Sequence, residues 1–168
     1  MLPKDILVIG AGPAGLATSA CLRREGLPHV VLERETSIAP AWLRHYDRLH
    51  LHTTKTCSSL PMTPWPRHAP RYPSRAQVVQ YLQAYASEHQ VEPRLGVTVQ
   101  AVRRAGDHFT VDTTSGVLTP QIVIMATGYN GVPRLPPVPG LDSFQGSAIH
   151  AGTYRNPAPY RGKRTLVV

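Results

Sequence analysis

Ile6-Leu7-Val8-Ile9-Gly10-Ala11-Gly12-Pro13-Ala14-Gly15 is the stretch on which the fold of this chain turns. The apolar run reads as a buried strand over 5–9, short and closed by glycine. Leu16 to Glu25 follows with the Ala- and Leu-rich composition of a helix, and Gly26 stands where a helix C-cap is expected. His29-Val30-Val31-Leu32-Glu33 then reads as a second strand. Strand, helix and strand in this order open a doubly wound α/β fold. The glycine spacing has a physical logic. Gly10 permits the tight turn, Gly12 lets the backbone approach a pyrophosphate, and Gly15 lets helix and strand pack closely. The helix N-terminus offers free N–H groups and partial positive charge to phosphates. Glu33 lies 18 residues past Gly15, close to the ~20 expected for an acid that binds a ribose. An acid there favours a free 2′-hydroxyl, as in FAD or NAD. These residues imply dinucleotide binding, and the first unit alone does not choose between the two.

Working outward, residues 34–73 carry prolines at 61, 64, 66, 70 and 73, which exclude long regular elements. A segment of that length without periodicity points to function. Ser74 is placed to cap a helix running to about His89, with Val78, Val79, Leu82, Tyr85 and Ala86 at helical spacing. Strand-like runs at 97–102 and 108–112, joined by Ala105-Gly106-Asp107, predict a small β-meander. Ile122-Val123-Ile124-Met125-Ala126 reads as a further buried strand ending in Thr127-Gly128. A connector with prolines at 133, 136, 137 and 139 follows, and Arg164-Thr165-Leu166-Val167-Val168 reads as another buried strand.

The 168 residues fit one ordinary domain. No apolar run approaches the ~20 residues of a membrane span, and the first apolar run is too short for a signal peptide, so a cytoplasmic protein with no membrane partner is expected. The net charge of +8 comes from scattered arginines without interleaved aromatics, which argues against a nucleic-acid partner and suits attraction of anionic cofactors. Cys21 and Cys57 have neither metal-type nor disulfide-type spacing, and Cys21 reads as a small core residue. His45, His50 and His52 lack a cysteine or acid to complete a metal set, so no metal is assigned.

The later motifs sharpen the choice of dinucleotide. Ala126-Thr127-Gly128 resembles the "ATG" signature of flavoproteins with two dinucleotide-binding domains, the glutathione-reductase-like fold. Phe144-x-Gly146-x-x-x-His150, with Tyr154 four residues on, is similar to the identifying motif of flavin-containing monooxygenases. Ala41-Trp42, Tyr46-Asp47-Arg48-Leu49, Tyr72-Pro73-Ser74 and Tyr81-Leu82 also resemble that family, in its YUCCA-like branch of plant and bacterial enzymes. In that branch Arg161-Gly162-Lys163-Arg164 introduces a second dinucleotide motif. The resemblance therefore implies an FAD-binding domain over 1–160, and the first strand of an NADPH-binding domain over 161–168, truncated before that domain continues.

The resemblance further implies that Gly10, Gly12, Pro13, Ala14 and Gly15 surround the FAD pyrophosphate. Glu33 would bind the adenosine ribose, with Arg34 and the backbone of Val99 near the adenine. Ala41, Trp42, His52 and Thr53 would lie along the flavin, with Thr127 and Gly128 also at the cofactor. His52 is the single candidate for a catalytic role. His150 is either a satisfied interior histidine or a link between the two dinucleotide sites. Pro40-Ala41 in place of a Gly-Gly pair, and His52 in place of Asn, set the chain apart from the animal-type enzymes. The implied reaction uses NADPH, FAD and O2 to insert one oxygen atom into a small organic substrate through a C4a-hydroperoxyflavin. Three alternatives stand beside it. One is an NAD(P)H:acceptor oxidoreductase of the same fold, although a disulfide reductase would need a closely spaced cysteine pair. Another is an inactive FAD-binding remnant. The last is a methyltransferase, against which the 144–154 motif argues.

Overall fold

Three parallel strands form the centre of the molecule, seen in a computed structural model that describes residues 6–128 and 131–167. The order along the sheet is β2 (His29–Leu32), β1 (Ile6–Ile9), β6 (Ile122–Met125). Ile9 lies in register with Leu32 on one side and Met125 on the other. Residues 94–97 extend the sheet beyond β2: Arg94 N donates to Val31 O (2.8 Å) and Val97 N to Glu33 O (2.9 Å). Val97 thus belongs beside β2, not to the meander strand predicted to begin there.

β1 is buried along its whole length because both faces are covered, and its alternation shows how. Val8 faces a cluster with Leu16, Ala20, Val31, Leu82 and Tyr85. Val31 is on the neighbouring β2; Leu16 and Ala20 come from α1 (Pro13–Arg24), and Leu82 and Tyr85 from α3 (Arg75–Glu88). Leu7 and Ile9 face Val111, Phe109 and Leu118 on the opposite side. That side is closed by the antiparallel meander β3 (Val99–Ala105), β4 (His108–Thr113) and β5 (Gly116–Leu118).

The helix ends follow their capping chemistry. At α1 the chain turns at Gly26 (φ 69°), with Leu27 N donating to Leu22 O at 2.9 Å. At α3, Ser74 and Gln77 exchange bonds: Ser74 Oγ accepts from Gln77 N, and Ser74 N donates to Gln77 Oε1 (2.9 Å). The five apolar positions expected on α3 are all buried, together with Tyr81. Tyr85 is fully buried at the contact with α1. Burial pushes its phenol up to about 12, and its hydroxyl has no hydrogen-bond partner among the described residues.

Three expectations need correction. α1 begins at Pro13, three residues before the predicted start, because Pro fits the first helical position. β6 is not a buried strand: Ile122 is 50% exposed and Met125 61%, since β6 has one neighbouring strand and a free edge. Arg164–Val167 is not a strand. Leu166 and Val167 are 85% and 89% exposed, because no neighbour supplies the ladder a strand requires. Val168 lies outside the described residues. Residues 34–73 also hold a five-residue helix that was not expected, α2 (Pro40–Arg44), short enough to be compatible with the exclusion of long regular elements there.

Candidate functional site

The loops that leave the C-terminal ends of β1, β2 and β6 emerge side by side, where the strand order reverses direction. Such a switch point is where open α/β sheets bind ligands. Gly10 N donates to Leu32 O (2.7 Å), and Ala126 N to Ile9 O (2.9 Å). Gly10 (φ 111°), Glu33 and Thr127-Gly128 are thereby brought to one edge. Gly128 is also left-handed (φ 71°), and Thr127 is exposed.

The three motif glycines are not equivalent. A Cβ at Gly10 would overlap the carbonyl of Ala126, and one at Gly15 would overlap the carbonyl oxygen of Gly10. Both are demanded by the fold itself. Gly12 has an ordinary φ of −81°, and a Cβ there would meet nothing within 4 Å. The protein alone gives no reason for glycine at position 12, whereas an atom group resting on the loop does. The helix that follows has no side-chain cap and no acid in its first turn, so its first amides stay available to an anion. Pro13 and Ala14 form the rim of this end, with Ala14 exposed.

Glu33 is only 7% exposed. Its Oε2 accepts from Ala11 N (2.8 Å) and its Oε1 from Glu35 N (3.0 Å). The carboxylate thus fixes the glycine loop, and its remaining lone pairs can accept from hydroxyl donors. Arg34 next to it is exposed and pairs with Glu35 (3.5 Å), as does Arg44 (2.5 Å). Hydrogen bonding from Arg44, aided by the charges of Arg44 and Arg34, holds the Glu35 carboxyl below its usual range. Val99 is half-buried and packs on the cluster of Leu7, Ile9 and Leu32.

α2 is tied to the same edge. Ala39, fully buried and left-handed (φ 56°), donates its N–H to Ala11 O (3.1 Å) and begins α2. Ala41 is exposed; Trp42 is half-buried and packs against the main core. The Trp42 ring meets His45 edge-on at 5.8 Å. Burial, then the charges of Arg155 and Arg75, keep the His45 imidazole below its ordinary value. Arg75 Nη1 donates to the carbonyls of Leu43 (3.1 Å) and His45 (2.6 Å), which closes the C-terminus of α2.

His52 and Thr53 are both exposed. Thr53 Oγ1 bonds Ser58 Oγ (2.7 Å), and His52 has no hydrogen bond among the described residues. They follow His50, which pairs with Ser74, and among the described residues no hydrogen bond joins them to the glycine loop. His150 is half-buried, not interior: its Nδ1 accepts from Gly152 N (3.0 Å) in a one-turn 3-10 helix. Cys21 is half-buried and Cys57 exposed, so Cys21 is not the core residue expected.

Some structuring residues carried no sequence signal. Lys55 Nζ donates to the carbonyls of Pro66 (3.1 Å), Arg67 (2.7 Å) and Ala69 (2.6 Å) and organises that loop. Trp65 stacks on Tyr81 at 4.2 Å. A cleft of about 520 Å³ lies beside the start of β2, between Ser19, His29 and Arg94. It is at the opposite end of the strands from the glycine loop. Its buried polar pair is satisfied internally, with Ser19 Oγ 2.6 Å from His29 Nε2. Among the described residues no group of three His, Cys, Asp or Glu could hold a metal, and no helix is long and apolar enough to cross a membrane.

Residues 7–168 match a protein family described as pyridine nucleotide-disulphide oxidoreductase. The chain is 43% identical, over 166 residues, to indole-3-pyruvate monooxygenase YUCCA1 of Oryza sativa subsp. japonica, covering 96% of this chain and 41% of that protein. A solved flavin-containing monooxygenase from Stenotrophomonas maltophilia superposes with a TM-score of 0.87 at 36% identity, covering 96% of this chain and 49% of that one. S-allyl-L-cysteine S-oxygenase from Allium sativum superposes with a TM-score of 0.81 at 25% identity, covering 92% and 43%. The chain spans less than half the length of these relatives.

Proposed function

We propose, because this chain belongs to the pyridine nucleotide-disulphide oxidoreductase family and within it to the flavin-monooxygenase-like proteins, that it forms the FAD-binding portion of an NADPH-dependent monooxygenase. The observation that carries this reading is Gly12: a glycine that neither backbone angle nor packing requires, at the open N-terminus of α1, beside the buried acid Glu33. In this reading the amides after Gly12 receive the FAD pyrophosphate, with Gly10, Pro13, Ala14 and Gly15 shaping the cradle. Glu33 accepts hydrogen bonds from the ribose while it holds Ala11. Arg34 and the backbone of Val99 stand at the adenine end. Thr127 and Gly128 close the loop from the β6 side. Ala41 and Trp42 on α2 line the flavin, with His52 and Thr53 completing that side.

Bound flavin would supply the redox and oxygen-activating chemistry. This chain's own residues bind it, orient it and cover one side of it. Residues 1–160 form the cofactor domain in this reading, and residues 161–168 lead towards a nicotinamide-binding part. Oxygen insertion into a small organic substrate is then an activity of the whole protein. Two free thiols suit a reducing compartment such as the cytoplasm.

The test is a fluorescence titration of the purified chain with FAD, alongside urea unfolding. Gly12→Ala is expected to leave the unfolding midpoint unchanged while weakening FAD binding about tenfold or more, the equivalent of ~1.4 kcal/mol. A wild-type chain that binds no FAD, or a Gly12→Ala variant that binds it equally well, overturns the reading.

A further inference from the structure

We propose that Asp47 is a positioning residue. It locks the segment around Tyr154–Asn156 onto α2, so that filling the site beside α2 and docking that segment stabilise one another. The second half of this statement rests on the FAD reading above.

Three ties converge on Asp47. Its backbone N–H donates to Arg155 O at 2.9 Å. Its Oδ2 accepts from Asn156 Nδ2 at 3.0 Å, across 109 positions of sequence. Its Oδ1 pairs with Arg75 at 3.3 Å. Arg75 is the first residue of α3 and the same side chain that closes α2 through Leu43 O and His45 O. One carboxylate therefore joins the end of α2, the start of α3 and a remote part of the chain. Next to it the rings of Tyr46 and Tyr154 lie 6.2 Å apart, with Tyr160 6.0 Å further on.

The setting gives these ties weight. No residue from 131 to 167 is buried, and Tyr154, Asn156 and Tyr160 are among the few that are even half-buried. The segment has no core of its own to hold it, so its placement depends on Asp47 and the tyrosines. A single exposed ion pair contributes little. Here the pair is one of three bonds on one residue, and Arg75 passes the constraint to the carbonyls that end α2. If α2 lines an occupied cofactor site, the coupling must act in both directions, because binding linkage is reciprocal.

The Arg155 carbonyl belongs to the Arg155–Asn156 peptide bond, which trypsin can cleave. This gives a local readout with an internal reference at Arg161–Gly162. Cleavage at both bonds is followed by mass spectrometry on the folded chain. Asp47→Ala is expected to raise cleavage at Arg155–Asn156 relative to Arg161–Gly162 about fivefold, since proteolysis follows the undocked population. Asp47→Asn keeps a side-chain oxygen for Asn156 and is expected to stay closer to wild type. Saturating FAD is expected to protect Arg155–Asn156 selectively in wild type and not in Asp47→Ala. General loss of stability would raise cleavage everywhere, including Arg103–Arg104 inside β3, and leave the ratio unchanged. An unchanged ratio in Asp47→Ala overturns the proposal. So does FAD that binds tightly but protects both variants alike. If the wild-type chain binds no FAD, the FAD reading fails, and the ligand-free ratio still decides the role of Asp47.

Discussion

Residues 6–33 and residues 131–167 are held in place by opposite means. In the first region the backbone ladders of β1, β2 and β6 and the packing of α1 bury all of β1, the inner half of β2 and the core face of α1. In the second there are three one-turn 3-10 helices and no buried residue. Its order comes from local turns and from a handful of long-range polar and aromatic contacts. The difference shows what each kind of sequence can specify. Periodic apolar residues find a core by themselves. Proline- and glycine-rich chain removes backbone donors and takes whatever position its side-chain partners offer.

The comparison breaks most severely at Gly15. A methyl group there would overlap the Gly10 carbonyl, and both atoms are fixed in the loop-to-helix packing. Gly15→Ala is expected to destabilise the chain by about 3 kcal/mol or more in urea unfolding. A loss near zero would show that the loop adapts, and the first region would then be less rigid than its burial suggests.

His45 sharpens the comparison at the seam, since it lies between Trp42 and the charges of Arg75 and Arg155. Burial, followed by those charges, lowers its folded pKa below 6.5, so the neutral ring is the form that fits. Its contribution is fully present above that value and is lost as pH falls through the lower folded value. Wild type minus His45→Gln, compared by urea midpoint across this range, should show stability falling more steeply on acidification in wild type. Equal slopes would mean that the seam is indifferent to the charge of the ring. The smallest effect is expected at the far end: Leu166→Ser should change stability by less than about 0.5 kcal/mol. A larger loss by the same measurement would show that the tail contributes to the core after all.

Much of the first region was legible because its signals are local. The glycine spacing and Gly26 after α1 each act within a few residues, as does the Ser74 cap of α3 outside that region, and the acid at 33 stands at the end of the second strand. The carboxylate's grip on Ala11 and Glu35 is tertiary, and its position alone announced only an acid at a strand end. β5 was missed because three residues make no pattern without the strand they pair with. α2 was missed because it is only five residues long and starts from a left-handed alanine with no side-chain cap, so that Pro40 at its first position was the one start signal. The clasp at Asp47 spans more than a hundred residues and has no local trace at all. At 164–167 the failure ran the other way: an apolar run was read as a strand, but a strand exists only beside a neighbour.

Ala39 has one more consequence. A non-glycine residue with positive φ is held there because its methyl sits in the core and its N–H is anchored on Ala11. The loop from β2 to α2, tied to the glycine turn through Ala39, therefore loses its conformational freedom when the chain folds, not when a ligand arrives. A visitor to this edge meets a finished surface, and little of its binding energy is diverted into ordering the protein.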